Sequence, residues 1–195
     1  MIKKTLVMVV MDGWGIGRQD GSNPIYVAGV PNLDYIRHHY LSGNLQASGI
    51  SVGLPWGEEG NSEVGHLTLG SGRISYQHYP RISLTIRDGS FFKNSVLTGA
   101  VDHVKVTGGN LNLVGLLTEG NIHASLEHLE ALLRFVKDND LTEKTYLHLF
   151  TDGVDGAPKG AEKLLEYAKG FKIATICGRF YAMNRERADR VKGCY

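Results

Sequence analysis

From Leu111 onward the chain alternates between short segments that read as strands and segments of helical period, and this alternation narrows the possible folds more than any other feature. Leu111 to Leu117, Thr145 to Phe150 and Lys172 to Cys177 read as strands. Between them, Ala124 to Lys137 sets Leu126, Leu129, Leu133 and Val136 at three- and four-residue spacing, and Lys159 to Lys169 carries Leu164, Leu165 and Ala168 in the same manner. Two β-α-β crossovers in succession predict a parallel sheet. Each strand runs into a polar, Gly-rich loop: Thr118 to His123, Thr151 to Gly156, and Gly178 to Tyr181. In open α/β sheets ligands sit beyond the carboxyl ends of the strands, so these loops are expected to converge on one site.

The first part of the chain has a different texture. Lys4 to Met11 is nearly all apolar and rich in β-branched residues, as expected of a parallel strand buried on both faces, and it stops at Asp12-Gly13. Ala28 to Tyr40 reads as a short helix with a Pro31-Asn32 start, Leu41 to Pro55 as a Gly-punctuated extended stretch, and Asn61 to Gly70 as a helix carrying Val64 and Leu67 inward. The shift in texture divides the chain into 1–76 and 77–195, with a junction at Tyr76 to Ser83. The 25 glycines cluster between apolar runs, the mark of loops shaped around a ligand.

Charge excludes one class of partner. With 21 Lys and Arg against 20 Asp and Glu and no basic block, the chain lacks the electrostatic footprint of a nucleic-acid binder. The longest apolar run, Leu6 to Met11, is far short of the roughly 20 residues of a membrane span, so no membrane association is expected. Its N-terminal lead is too short, and too soon followed by Asp12, for a signal peptide, so the expected location is the cytoplasm. Cys177 and Cys194 form neither a disulfide framework nor a metal-binding pair.

Two places could carry chemistry. Asp12 follows a strand beside a backbone opened by Gly13, Gly15 and Gly17, a position suited to a hard divalent metal, although Asp-Gly after a strand is also a common turn. Ser62 lies where a loop enters a helix, so backbone N–H groups could favour an incoming phosphate and an activated hydroxyl. The plainer reading of Ser62 is a helix cap. No Gly-x-Ser-x-Gly elbow surrounds it, which argues against an α/β-hydrolase.

Longer motifs add to these readings. Met11-Asp12-Gly13-Trp14-Gly15, Pro31-Asn32-Leu33-Asp34, Leu45-Gln46-Ala47-Ser48-Gly49, Val52-Gly53-Leu54-Pro55 and Gly60-Asn61-Ser62-Glu63-Val64-Gly65-His66-Leu67 resemble, in order and spacing, the start of the cofactor-independent phosphoglycerate mutase family. The resemblance continues through Gly70 to Arg73, Asp88 to Phe92, Leu113 to Leu117 and Gly178 to Met183, and so covers essentially the whole chain. It implies an enzyme that interconverts 3-phosphoglycerate and 2-phosphoglycerate in glycolysis through a phosphoserine. It also implies an alkaline-phosphatase-like metal domain with an inserted α/β domain, two divalent ions, usually manganese, and no organic cofactor. By motif, Asp12 and Ser62 look like ligands of one metal and Ser62 like the nucleophile. His123, Asp155, Arg185 and Arg190 resemble the residues that hold the glycerate.

The chain also departs from the family pattern. Val154 stands where the family usually has an arginine, Ser125 where it has a histidine and Asn184 where it has an aspartate; the run before Arg190 is one residue short. Losing a charge-assisted hydrogen bond at position 154 is expected to weaken glycerate binding by ~1.5 to 3 kcal/mol. The family's other metal ligands and its activating lysine lie in a C-terminal portion that has no counterpart here, and the histidines other than His123 match no part of it. The expectation is an N-terminal part of the enzyme, inactive alone, that needs the C-terminal portion or self-associates through an uncovered sheet. The competing readings are another phosphotransferase or phosphatase of the same superfamily, and a catalytically inactive remnant that only binds a partner or a small anion.

Overall fold

The computed structural model describes residues 5–183 and divides into two compact units, Met1–Gln77 and His78–Tyr195. The first contains helices α1 (Pro24–Ala28), α2 (Pro31–His39) and α3 (Ser62–Ser71), with a 3-10 turn at Gly49–Val52. The second contains α4 (His78–Asp88), α5 (Ser95–Thr107), β1 (Leu111–Leu117), α6 (Leu126–Asp138), β2 (Thr145–Thr151), α7 (Ala161–Leu165), β3 (Lys172–Gly178) and α8 (Arg179–Ala182).

The second unit is the mixed α/β body that the alternation predicts. Its three strands form one parallel sheet in the order β1-β2-β3, with Leu111 opposite Thr145 and Leu147 opposite Ile173. The register then skips Ala174, so that His148 faces Thr175. One face of the sheet is covered: Leu117, Leu147 and Leu149 pack with Leu133 of α6, Leu164 of α7 and Ala168. Farther along α6, Phe135 and Val136 pack with Val101 and Val104 of α5, so a single amphipathic helix joins two apolar clusters. On the other face His148 spans the sheet, its Nε2 3.1 Å from Asn112 Oδ1 and its Nδ1 3.0 Å from Thr175 Oγ1. An amide oxygen only accepts, so Nε2 carries the proton and Nδ1 accepts from the threonine hydroxyl.

Helix ends follow local chemistry. Asn94 caps α5 by accepting from the N–H groups of Val96 and Leu97, and Gly108 closes it at φ +71°. Pro31 opens α2, whose last turn gathers Arg37, His38 and His39 at the negative end of the helix dipole.

Several expectations are corrected. Thr5 to Met11 forms no strand, and Leu6, Val7, Met8 and Val9 are exposed. A strand buried on both faces needs neighbours to complete its ladder, and every strand among the described residues belongs to the sheet of the second unit. The expected helix at Ala28 to Tyr40 is the shorter α2, preceded by Gly29 and Val30 and by α1, which ends at Ala28, and part of the expected junction at Tyr76 to Ser83 is the first turns of α4. In α3 Val64 is buried, whereas Leu67 is exposed. Among the described residues no helix is long and apolar enough to cross a membrane.

Candidate active site

In the first unit α3 begins at Ser62, and the residue that caps it is Asn61, whose Oδ1 accepts from the N–H of Val64 at 3.1 Å. The cap is therefore supplied one residue earlier, and the Ser62 hydroxyl is free for another partner. It donates to Asp12 Oδ2 at 2.5 Å, across fifty positions of sequence. His66, one helical turn on, places Nδ1 2.7 Å from the Ser62 carbonyl and 3.3 Å from its Oγ. A carbonyl only accepts, so Nδ1 carries the proton and Nε2 is left as an acceptor. The sequence reading passes over His66; its four-residue spacing from Ser62 on a helix is the signal that could have found it.

These three residues line a cavity of about 860 Å³ whose walls also include Trp14, Glu58 and Glu59. The cavity is polar where Asp12, Ser62 and His66 meet, and all three are exposed. Asp12 and Ser62 are hard oxygen donors that converge, which fits part of the shell of a small divalent cation. Among the described residues no group of three or more His, Cys, Asp or Glu side chains could enclose one.

In the second unit the three loops do meet, and a residue outside the predicted set holds them together. Asp152, whose side chain is only 4% exposed, accepts through Oδ1 from the N–H groups of Gly153, Val154 and Asp155, while its Oδ2 accepts from the Thr118 hydroxyl. Arg179 Nη1 donates to Asp152 Oδ1 at 3.0 Å and to Asp155 Oδ2. The loops are so close that a Cβ on Gly120 would lie 2.4 Å from the Asp155 carbonyl oxygen. Burial alone would raise the Asp152 carboxyl, but the hydrogen bonds from Thr118 and from the Val154, Gly153 and Asp155 amides outweigh it and hold the group well below the usual carboxylate range.

Of the predicted glycerate residues, Asp155 belongs to this network. His123 is exposed, sits in the left-handed region at φ +65° and takes no part in the network. It lines a separate cavity of about 350 Å³ along β1 and α6, together with His128 and Ser125, whose buried hydroxyl has no hydrogen-bond partner among the described residues. Arg185 and Arg190 lie outside the described residues. Val154 is exposed and brings no cation to its loop.

A buried polar cluster ties α4 to α6. The fully buried Ser83 donates to Glu127 Oε2 at 2.9 Å, and its Oγ accepts from His128 Nε2 at 3.0 Å, since a carboxylate can only accept. Burial lowers the His128 imidazole, and the charge of Glu127 offsets this in part. The fold therefore favours neutral His128 and ionised Asp152. Each contribution is present above the unfolded value, about 6.5 for histidine and about 3.9 for aspartate, and is lost as pH falls through the lower folded value. The second unit is expected to weaken in two steps on acidification, one beginning below about pH 6.5 and one below about pH 4. Far-UV circular dichroism melts between pH 7.5 and 3 check this, and His128→Gln should remove the first step alone.

Comparison with known proteins agrees with the motif pattern. The profile of the BPG-independent PGAM N-terminus family matches residues 82–195. A 2,3-bisphosphoglycerate-independent phosphoglycerate mutase of Clostridium botulinum (strain ATCC 19397 / Type A) is 43% identical over 100% of this chain and 40% of its own length. A second such mutase, from Methanosarcina acetivorans, is 45% identical over 99% of this chain and 39% of its own length. The chain thus spans about two fifths of these curated relatives. Among solved structures, Leishmania mexicana phosphoglycerate mutase, crystallised at low cobalt concentration, aligns with a TM-score of 0.57 and 27% identity, over 92% of this chain and 35% of that one. By profile, identity and fold, the chain is a member of the BPG-independent PGAM N-terminus family.

Proposed function

We propose that this chain provides the phosphoryl-accepting serine and part of the glycerate site of a cofactor-independent phosphoglycerate mutase, which interconverts 3-phosphoglycerate and 2-phosphoglycerate in glycolysis. The observation that carries this reading is the Ser62 hydroxyl, released from capping by Asn61 and hydrogen-bonded to Asp12 at the first turn of α3. In this reading residues 1–76 contribute to an alkaline-phosphatase-like metal domain and 77–195 to an inserted substrate-binding domain.

Ser62 Oγ attacks phosphorus, the bond from phosphorus to the substrate oxygen breaks, and the glycerate released takes a proton. Return of the phosphoryl group to the other glycerate hydroxyl completes the isomerisation. Asp12 orients the nucleophile by accepting a hydrogen bond from its hydroxyl at Oδ2, and His66 steadies the same turn through Nδ1–H. Asp12 and Ser62 would hold one of two divalent ions, manganese by family resemblance, whose chemical contribution is to favour the alkoxide over the hydroxyl. Asp155 and His123, with Arg185 and Arg190, hold the glycerate. Asp155 keeps one carboxylate oxygen for a glycerate hydroxyl while the other is bonded to Arg179.

The test is reconstitution in trans. The purified chain is expected to show no mutase turnover alone, and turnover when mixed with the C-terminal remainder of the Clostridium relative and Mn2+. Peptide mapping after addition of labelled phosphoglycerate should place the label on Ser62. Label on another residue, or turnover by the chain alone, refutes the assignment.

A further inference from the structure

We propose that Arg179 is a positioning residue, which fixes the Asp155 carboxylate for glycerate without itself touching the ligand. This rests on the reading of Asp155 as a glycerate-binding residue.

Asp152 is immobilised by the Thr118 hydroxyl and three consecutive backbone N–H groups, and it is almost entirely buried. Asp155 has no such support. Among the described residues its carboxylate has one side-chain partner, Arg179; the two side chains are exposed alike, 17% and 16%, but the Arg179 Nη1 is taken up by the two carboxylates, whereas Asp155 Oδ1 is left to meet a small ligand. Arg179 uses one nitrogen, Nη1, on both carboxylates, so the rigidity of Asp152 passes through the guanidinium to Asp155. The placement follows from the sheet: β2 delivers both aspartates in its loop and β3 delivers Arg179 at the start of α8, two neighbouring parallel strands ending side by side. Without Arg179 two carboxylates would face each other with no cation between them, and Asp155 would turn outward.

The 195-residue protein, labelled with 15N, is titrated with sodium D-glycerate by NMR, as wild type and as Arg179→Met, Arg179→Lys, Asp155→Asn and the Arg179→Met/Asp155→Asn double variant. The expected result is a loss of affinity of about tenfold for Arg179→Met, equal to that of Asp155→Asn, with the double variant no weaker than either. Arg179→Lys should recover part of the loss, and if Arg179→Met does not fold, Arg179→Lys must still fall between wild type and Asp155→Asn. A double variant about tenfold weaker than both singles means that Arg179 contacts the ligand directly and overturns the proposal. Affinity indifferent to Arg179 but sensitive to Asp155 overturns it too, and leaves the role of Asp155 standing. A wild-type protein that takes up no glycerate removes the role of Asp155, and the proposal with it.

Discussion

Ser62→Ala is expected to lower phosphoryl incorporation in the reconstituted system by about 10⁴-fold or more, while the melting temperature of the chain stays where it is. The change removes one hydroxyl from an exposed position, where water takes over the hydrogen bond to Asp12 with little net cost to stability. The helix keeps its cap because Asn61 provides it. Asn61→Ala should show the opposite pattern, costing about 1 kcal/mol of stability through the lost cap. Labelled substrate measures the first quantity and thermal melts the second. Incorporation that survives in Ser62→Ala would show that another group accepts the phosphoryl.

Gly53→Ala is expected to unfold the first unit. Gly53 sits at φ +88°, where a side chain costs about 1 to 2 kcal/mol. Its new Cβ would also lie 2.2 Å from the Ser75 carbonyl oxygen, a backbone atom that cannot swing aside. Adding about 1 to 3 kcal/mol for the overlap gives about 2 to 5 in total. Gly72→Ala separates the two costs, since Gly72 has φ +64° and nothing within 4 Å of a Cβ. Both tryptophans, Trp14 and Trp56, lie in the first unit, so their fluorescence reads that unit alone. A native emission spectrum in Gly53→Ala would mean that Ser75 and Tyr76 can move away.

The three strands were legible because each is a short, mostly apolar segment cut off by a glycine-rich loop, and α6 because its leucines recur at helical spacing. Helices α4 and α5 were not. Pro80 in α4 reads as a breaker, yet it stands in the first turn, where the missing N–H has no intrahelical partner to lose. Helix α5 is filled with β-branched residues, Val96, Val101, Val104 and Val106, and interrupted by Gly99, so its propensity argues against the helix that packing on α6 selects. The apolar run before Asp12 misled in the other direction, since composition records an appetite for burial and says nothing of whether a neighbour is there. In the site, Asp12 stood out by its position beside glycines and Ser62 by its place where a loop enters a helix. Asp152 and Arg179 did not, because their significance is a contact between loops 27 residues apart, which no local spacing encodes.

The scarcity of buried apolar side chains in the first unit, Leu54 and Val64 alone among the described residues, bears on how the molecule comes apart. Denaturant slopes and heat-capacity changes scale with the surface newly exposed on unfolding, and a unit whose Leu6 to Met11 run already meets water in the native state has little left to expose. Its transition is therefore expected to be shallow in urea and broad in temperature, and that of the second unit, with its two packed clusters, to be steep. The chain as a whole is then expected to depart from two-state unfolding, and one extrapolated unfolding free energy would average two quantities that belong to different halves of the molecule.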